Sequence, residues 1–398
     1  MNSSSTYRKK LVIILSRFPY PLEKGDKLRA FNQIKELSKK YQITLIATSD
    51  KKVQKDSIEK LRKYCSTIYI LHLNKISIAF NVLLQFFTNK PFQTGYFYSS
   101  KNNARIKNIL NELKPDHIFC QLIRVSEFVK NYHDCPKTLD YMDALSKGIE
   151  RRIKKAPFYS KWIFRTEAKR LGIYERQIFD YFENHIIISE QDRELILHPK
   201  RKSIQCIPNG VDASFFEKIE QPSDKDLIFV GNMSYAPNIE ACNFISKEIL
   251  PLLNSKSTQP YSLLISGANP HANIIRLATE NTAIEITGWV DDIRISYARG
   301  KIFVAPMMIG TGMQNKLIEA MAMGIPCVTT ELANNAIGGI HNQSIVVAET
   351  KEDFVIAIQK LFNDTAFYAT ISEGGRILVQ DKFNWLATTQ KLSDIFES

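Results

Sequence analysis

The stretch 310–326, GTGMQNKLIEAMAMGIP, sets two glycines, a lysine and a glutamate where a loop runs into a helix. Gly310 and Gly312 let the backbone turn tightly and approach a ligand, because glycine tolerates positive φ and has no side chain in the way. Positions 313–323 are mostly good helix formers, and Gly324 followed by Pro326 is a stop signal. The unpaired N–H groups of a helix start, together with the positive end of its dipole, favour phosphate. Lys316 stands where the dipole prefers acids, and a bound pyrophosphate explains a cation there. Glu319 lies roughly 10 Å further along the axis than Gly312, at about 1.5 Å per residue, within reach of a ribose on that diphosphate. Lys316 and Glu319 also have the spacing of a surface helix pair worth a few tenths of a kcal/mol. The glycines and the apolar remainder, Leu317, Ile318 and Met321, favour the ligand site over that plainer reading.

The elements that must position this loop alternate regularly. Buried strands are expected at 11–15, 43–47, 67–73, 117–121, 138–142 and 185–188, with helices at 27–40 and 104–113. Around Pro208, Asn209 and Gly210 the chain turns, and 217–226 is polar as a linker would be. The alternation then restarts with strands at 227–230, 262–266, 284–286, 302–305 and 327–330 and a helix at 239–250. Four of these strands lead into glycine-containing loops, and ligands of open α/β sheets bind at the carboxyl ends of strands. The pattern predicts an α/β protein made of two doubly wound halves. The loop after the first strand lacks G-x-G-x-x-G and carries Pro19, Pro21, Gly25 and Asp26.

With 398 residues the chain can hold two domains of ordinary size. A net charge of +12 points to an anionic partner: nucleic acid, acidic lipid or a phosphorylated small molecule. Six cysteines with no C-x-x-C pair suggest neither a zinc site nor a disulfide framework, so a reducing cytoplasm is expected. The apolar run 11–15 is too short for a signal-peptide core, and the apolar window 76–87, broken by Asn81 and Gln85, is too short to cross a bilayer. The stretch 147–176 holds ten basic residues against three acids, with Phe158, Tyr159, Trp162, Ile163 and Phe164 in its middle. It reads either as a membrane-surface element, with Lys154, Lys155, Trp162 and Arg165 at its centre, or as a solvated basic helix whose aromatics join the core. No nucleic-acid motif accompanies the charge, and no nucleic-acid partner is expected.

Five features in order resemble family 4 retaining glycosyltransferases of GT-B fold, most of all bacterial sugar transferases of exopolysaccharide and capsule pathways. They are the proline-glycine loop after the first strand, the turn at 207–212, Phe229-Val230-Gly231, the turn at 286–292 and the loop-helix 310–326. The resemblance covers nearly the whole chain. It implies two Rossmann-like domains facing a central cleft: 1–216 for the acceptor, a linker at 217–226, 227–375 for the nucleotide-sugar, and a C-terminal helix at 376–398 packing back toward the first domain. Glu319 would hold the donor ribose; Lys316 and the loop of Gly310, Thr311, Gly312 and Met313 would neutralise the diphosphate. Gly231 and Asn232 would border the donor, backbone at Gly288 to Val290 would bind the base, and Gly25 would approach the diphosphate. Lys316, Arg124 and Asp143 are the implied catalytic groups, the last two on the acceptor side.

The sequence departs from the family at several points. Thr311 stands where an acid is common, and Asn232, Met233 and Ser234 stand where an Arg/Lys pair often follows the first C-terminal strand. The N-terminal strand that often ends in histidine ends near Gln121, with Arg124 beyond, and His117 reads as a strand residue. The D-x-D of Asp224 and Asp226 reads as solvated linker surface, so no metal is expected, nor any cofactor beyond an NDP-sugar substrate. The expected activity is metal-independent transfer of a sugar to a lipid-linked or saccharide acceptor in surface polysaccharide synthesis, in the cytoplasm and peripherally at the inner face of the plasma membrane. A nucleotide-sugar epimerase and a non-catalytic subunit that binds lipid or a partner are the rival readings.

Overall fold

The structure, a computed structural model, describes residues 8–22, 24–153, 156–309 and 313–398. The chain divides into two units, 1–208 with 385–398, and 209–384. The polar stretch 217–226 therefore lies within the second unit.

The first unit is built on seven parallel strands: β1 (Lys10–Leu15), β2 (Gln42–Ser49), β3 (Thr67–His72), β4 (His117–Gln121), β5 (Lys137–Asp140), β6 (Asn184–Ile187) and β7 (Gln205–Cys206). They lie in the order β3-β2-β1-β4-β5-β6-β7. β1 is an interior strand between β2 and β4, and Leu11, Val12, Ile13, Ile14 and Leu15 are all buried. Helices on both faces shut out water, so strands of the interior read as unbroken β-branched and leucine runs. Leaving β1, the chain goes out to β2 on one side and later returns to β4 on the other. Leu15 pairs with Gln121 at the carboxyl ends of these two strands, which places a switch of direction there.

Helix Trp385–Glu397 closes this unit from the far end of the sequence. Leu392, Ile395 and Phe396 are buried, and the Phe396 ring lies 4.4 Å from His117 and 5.7 Å from Phe119. The Tyr41 hydroxyl donates to Glu397 Oε1 at 2.8 Å. His117 is a strand residue of the interior: Thr138 Oγ1 is 2.9 Å from its Nε2, and burial pushes its imidazole down to about 4.

The second unit repeats the architecture with β8 (Lys225–Val230), β9 (Leu263–Ser266), β10 (Ile284–Gly288), β11 (Gly300–Ala305), β12 (Cys327–Thr329) and β13 (Val346–Val347). All are parallel, in the order β10-β9-β8-β11-β12-β13, so the switch falls between β8 and β11. The helix expected at 239–250 is a composite: helix Ala236–Phe244, a π-helical stretch Ile245–Ile249, then helix Leu250–Ser255. Pro251 is the cause, since it has no N–H to donate and its ring crowds the preceding turn. Of the D-x-D, Asp224 is exposed ahead of β8 and Asp226 is half-buried within it, and both are paired with basic side chains. Arg299 binds Asp224 at 2.7 Å and Lys301 binds Asp226 at 2.9 Å, with Lys225 and Asp226 inside β8. Arg299 and Lys225 also pair with Glu285, whose carboxyl they hold down at about 2.

Candidate active site

Three glycine turns stand at the carboxyl ends of β8, β9 and β10, and at the first two the packing excludes a side chain. A Cβ on Gly267 would stand 1.8 Å from the carbonyl oxygen of Gly231, and one on Gly231 would stand 2.6 Å from Nδ2 of Asn238. Gly267 N donates to Gly288 O at 3.0 Å, and Gly231 N donates to Ser266 O at 3.0 Å. Gly288 has φ of +69° and open space where a side chain would be, so its backbone is approachable. Val290 follows, half-buried, beyond the exposed indole of Trp289. The side chain of Asn232 closes a local turn by accepting from Ser234 N at 3.0 Å, and its carbonyl accepts from Asn238 Nδ2 at 2.9 Å.

The next wall is helix Asn315–Ala322, which starts after Gln314 and ends where Gly324 takes φ of +73°. Gly310, Thr311 and Gly312 lie outside the described residues, and Met313 at the edge of that loop is half-buried. Asn315 is tied to the turn that opens the second unit, Asn209 Nδ2 donating to its Oδ1 at 3.1 Å. Lys316 sits in the first turn of the helix. Its Nζ donates to Asn238 Oδ1, lies 3.7 Å from the sulfur of Met307 and stands 4.8 Å from the centre of the Phe229 ring. Every one of these partners is neutral. Burial pushes the ammonium down to about 8, with only the more distant Cys242 and Glu319 opposing the shift.

Glu319 faces the same space without pairing to Lys316. It accepts from the Tyr297 hydroxyl at 2.9 Å, while Tyr297 also lies 3.1 Å from the carbonyl of Lys316. Burial raises the Glu319 carboxyl, and the Tyr297 hydrogen bond and Lys316 partly offset that. The surface-pair reading of these two residues therefore fails: each is held by a separate, neutral side chain.

Three partners in this arrangement escaped sequence reading. Asn238 follows Pro237 at the start of helix Ala236–Phe244, where a polar residue is unremarkable. Tyr297 and Phe229 look like ordinary core aromatics. Nothing in their local sequence marks them; their roles arise because β8, helix Ile293–Ala298 and helix Asn315–Ala322 are adjacent in the fold.

In the first unit, Arg124 and Asp143 follow β4 and β5. Arg124 Nε donates to Gln93 Oε1 at 2.7 Å, and its guanidinium stands 5.8 Å from the Phe97 ring centre, which Arg17 also approaches at 6.0 Å. Burial, then Arg17, lowers the Arg124 guanidinium, and Asp143 opposes the shift. Asp143 keeps surface open to solvent although chain crowds it on most sides; that crowding, and next Asp192, pushes its carboxyl up to about 6. Both loops leave their strands through non-glycine residues at positive φ, Leu122 at 69° and Met142 at 62°. Such conformations cost about 1–3 kcal/mol each and are kept where surroundings enforce them. Here Asp140 does so, accepting from Met142 N at 2.9 Å with one oxygen and from Arg29 Nε at 2.6 Å with the other. Gly25 opens helix Gly25–Leu37, exposed and with nothing near where a side chain would be.

Within 147–176, Lys154 and Lys155 lie outside the described residues. The aromatics do not join the core as the plainer reading had it: Phe158 is 86% exposed and Trp162 53%, and Arg165 is exposed too.

Residues 224–364 match the family of glycosyl transferases group 1. The matched segment lies within the second unit and takes up most of it. An uncharacterized 44.6 kDa protein in the cps region of Klebsiella pneumoniae is 22% identical over 412 residues, covering 98% of each chain. The capsular polysaccharide biosynthesis glycosyltransferase CapM of Staphylococcus aureus is 27% identical over 122 residues, 30% of this chain and 32% of that one. Among solved structures, Anabaena Alr3699/HepE in complex with UDP and glucose superposes with a TM-score of 0.68 at 13% identity, covering 98% of this chain and 100% of that one. The whole chain thus shares the GT-B fold, and Lys316 and Glu319 lie within the segment that matches the family.

Proposed function

We propose that the protein is a retaining glycosyltransferase that moves a sugar from a nucleotide diphosphate donor to a lipid-linked or saccharide acceptor in surface polysaccharide synthesis. One observation carries the reading. Lys316 is a crowded ammonium in the first turn of a helix, with an amide, a thioether and an aromatic ring as its partners and, among the described residues, no carboxylate within ion-pair distance. A cation so placed is stabilised by an anion, and a diphosphate that gains charge on its bridging oxygen as it leaves is such an anion. Glu319, held by Tyr297, would take the ribose hydroxyls. Open backbone at Gly288 would take the base.

In this reading the helix start and Lys316 carry the leaving-group charge without a metal ion, and the NDP-sugar is substrate with no further cofactor. The D-x-D carboxylates support this, since arginine and lysine already occupy them. Asp143 and Arg124 would serve the acceptor. The capsule setting is supported by what the Klebsiella and Staphylococcus relatives are called, and the donor class by the UDP bound to the Anabaena protein. No nucleic acid takes part. The site of action would be the cytoplasmic face of the membrane, where the basic stretch 147–176 draws the protein to anionic lipid at about 1 kcal/mol per basic residue near the surface.

A panel of UDP-, GDP- and ADP-sugars, assayed for transfer and for slow hydrolysis, tests the proposal. At least one donor should be turned over, and Lys316→Ala should suppress that turnover. If no nucleotide raises the melting temperature and Lys316→Ala changes nothing, the reading is wrong; tight donor binding without turnover would identify a non-catalytic subunit instead.

A further inference from the structure

Helix Lys75–Leu84 turns a largely apolar face outward. Asn81 turns inward, its Nδ2 donating to Tyr98 O at 2.7 Å, and Gln85, at the end of the helix, donates to Asn81 O at 3.1 Å. Ile78 packs against the core and Val82 is half-buried, while the larger apolar side chains of the other side point out. Ile76 is 80% exposed, Phe80 60% and Leu83 57%, and Phe87 just beyond is 84% exposed. No residue of this helix is buried. The patch continues across the chain, for the Phe86 ring packs 6.2 Å from Trp162, and Phe158 lies one short turn away. Arg170 clamps the two segments together by donating to Gln85 O at 2.5 Å and Lys90 O at 3.2 Å. A contiguous apolar surface of this kind marks an interaction site.

The charge around it decides the partner. Between 74 and 91 there are two lysines, Lys75 and Lys90, and no acid. In 147–176 the three acids are all engaged: Glu150 with Lys147 at 2.6 Å, Glu167 buried against Phe92 N at 2.7 Å, and Glu175 buried against Ser146. The charge left at the surface is positive, from Lys161, Arg165 and Lys169 among others. A second copy of the same face would be repelled by it. At ten residues, and about 1.5 Å per residue, the helix is far shorter than the ~30 Å needed to span a bilayer.

We propose that the first unit docks on an anionic lipid bilayer, with helix Lys75–Leu84 and Phe87 inserted at the acyl boundary, Trp162 at headgroup level and the basic residues on lipid phosphates. This rests on the membrane setting proposed above and adds the element that enters the lipid. It is independent of which donor the second unit binds.

Flotation of the full chain with phosphatidylglycerol/phosphatidylethanolamine vesicles and with phosphatidylcholine vesicles tests it. The wild type should float with the anionic vesicles. Phe80→Asp with Phe87→Asp should reduce partition at least about tenfold at low and at high salt, because insertion is lost. Lys161→Glu with Arg165→Glu should reduce it mainly at low salt, because screening already weakens the electrostatic part. The Phe80/Phe87 variant should keep the same thermal stabilisation by UDP as the wild type, which shows that it is folded and separates this result from a failure of the donor reading. Wild-type protein that does not float overturns the proposal, as does a Phe80/Phe87 variant that floats unchanged. A wild-type dimer by light scattering that the same variant converts to monomer, without flotation of either, would assign the patch to a second copy and overturn it equally.

Discussion

Asn238 holds Lys316. The amide oxygen of one accepts from the ammonium of the other, while the amide nitrogen of Asn238 reaches back to the carbonyl of Asn232 at 2.9 Å. A single buried amide thus links the glycine turn after β8 to the helix that follows β11, and it sets where the cation stands. Replacing Asn238 by Leu leaves the ammonium without its oxygen and crowds Gly231. Loss of a hydrogen bond to a charged group corresponds to about 1.5–3 kcal/mol, so donor KM should rise on the order of tenfold or more, with a lower melting temperature. Steady-state kinetics and a thermal melt check both.

Lys316→Met separates stability from function. The crowded ammonium disfavours the folded state, so the variant without nucleotide should melt higher than the wild type at pH 7. Its sugar-transfer rate should fall by roughly 10²–10³, the range for removing one preorganised donor from a developing anion. A melting temperature below wild type would show that Lys316 is a structural cation instead.

Donor affinity should be pH dependent with a defined sign. The folded value of Lys316 is about 8, below its ordinary 10.5, so the protonated form that binds a diphosphate is lost as pH rises through about 8. Between about 8 and 10.5 the unfolded chain binds the proton that the folded one has released, so stability without nucleotide rises with pH over that window. Titration calorimetry with UDP from pH 7 to 9.5 should show weakening affinity, and Lys316→Arg should flatten the curve. Bound diphosphate should shift the midpoint upward.

On the acceptor side, Asp143 should give an acid limb. Its carboxyl is pushed up to about 6, so activity that needs the carboxylate should fall as pH drops through about 6. Asp143→Asn should lower transfer to acceptor and remove that limb, while hydrolysis of donor to water changes much less. A limb that persists in the variant would assign it elsewhere.

Asp140 and Arg29 are both fully buried, and their contact supports the strained turn at Met142. Removing one partner of a buried ion pair typically costs 3–5 kcal/mol. Asp140→Ala should therefore lower stability by about that amount in urea titration and displace Asp143 with it. Replacing both Arg29 and Asp140 by apolar residues should recover stability without recovering acceptor transfer.

The elements were largely legible from the residues. Runs such as Leu11 to Leu15 can be buried on both faces only in a covered parallel sheet, and the helix stop at Gly324 is written in its own residue type. The break at Pro251 was written there as well, although its consequence, a π-helical stretch, depends on how the neighbouring turns yield. Strands β7 and β13 were not legible: two residues carry no periodicity, and pairing with β6 and β12 alone defines them. The outward-facing apolar side of helix Lys75–Leu84 was visible only as an apolar window, because the sequence does not say which face a helix turns inward.

What the sequence determined by itself is the set of chemical groups and their local setting: a glycine loop, a lysine and a glutamate at the start of one short helix, following the buried strand that leads into them. Backbone propensity and periodicity act over a few residues, and a few residues hold that information. Tertiary structure alone decided the partners. Asn238 on Lys316, Tyr297 on Glu319 and Arg29 on Asp140 join residues far apart in the chain, brought together by sheet order, and it is these contacts that replace water around each charge. The crowding that lowers Lys316 toward neutrality, and prepares it for an anion, arises from that packing.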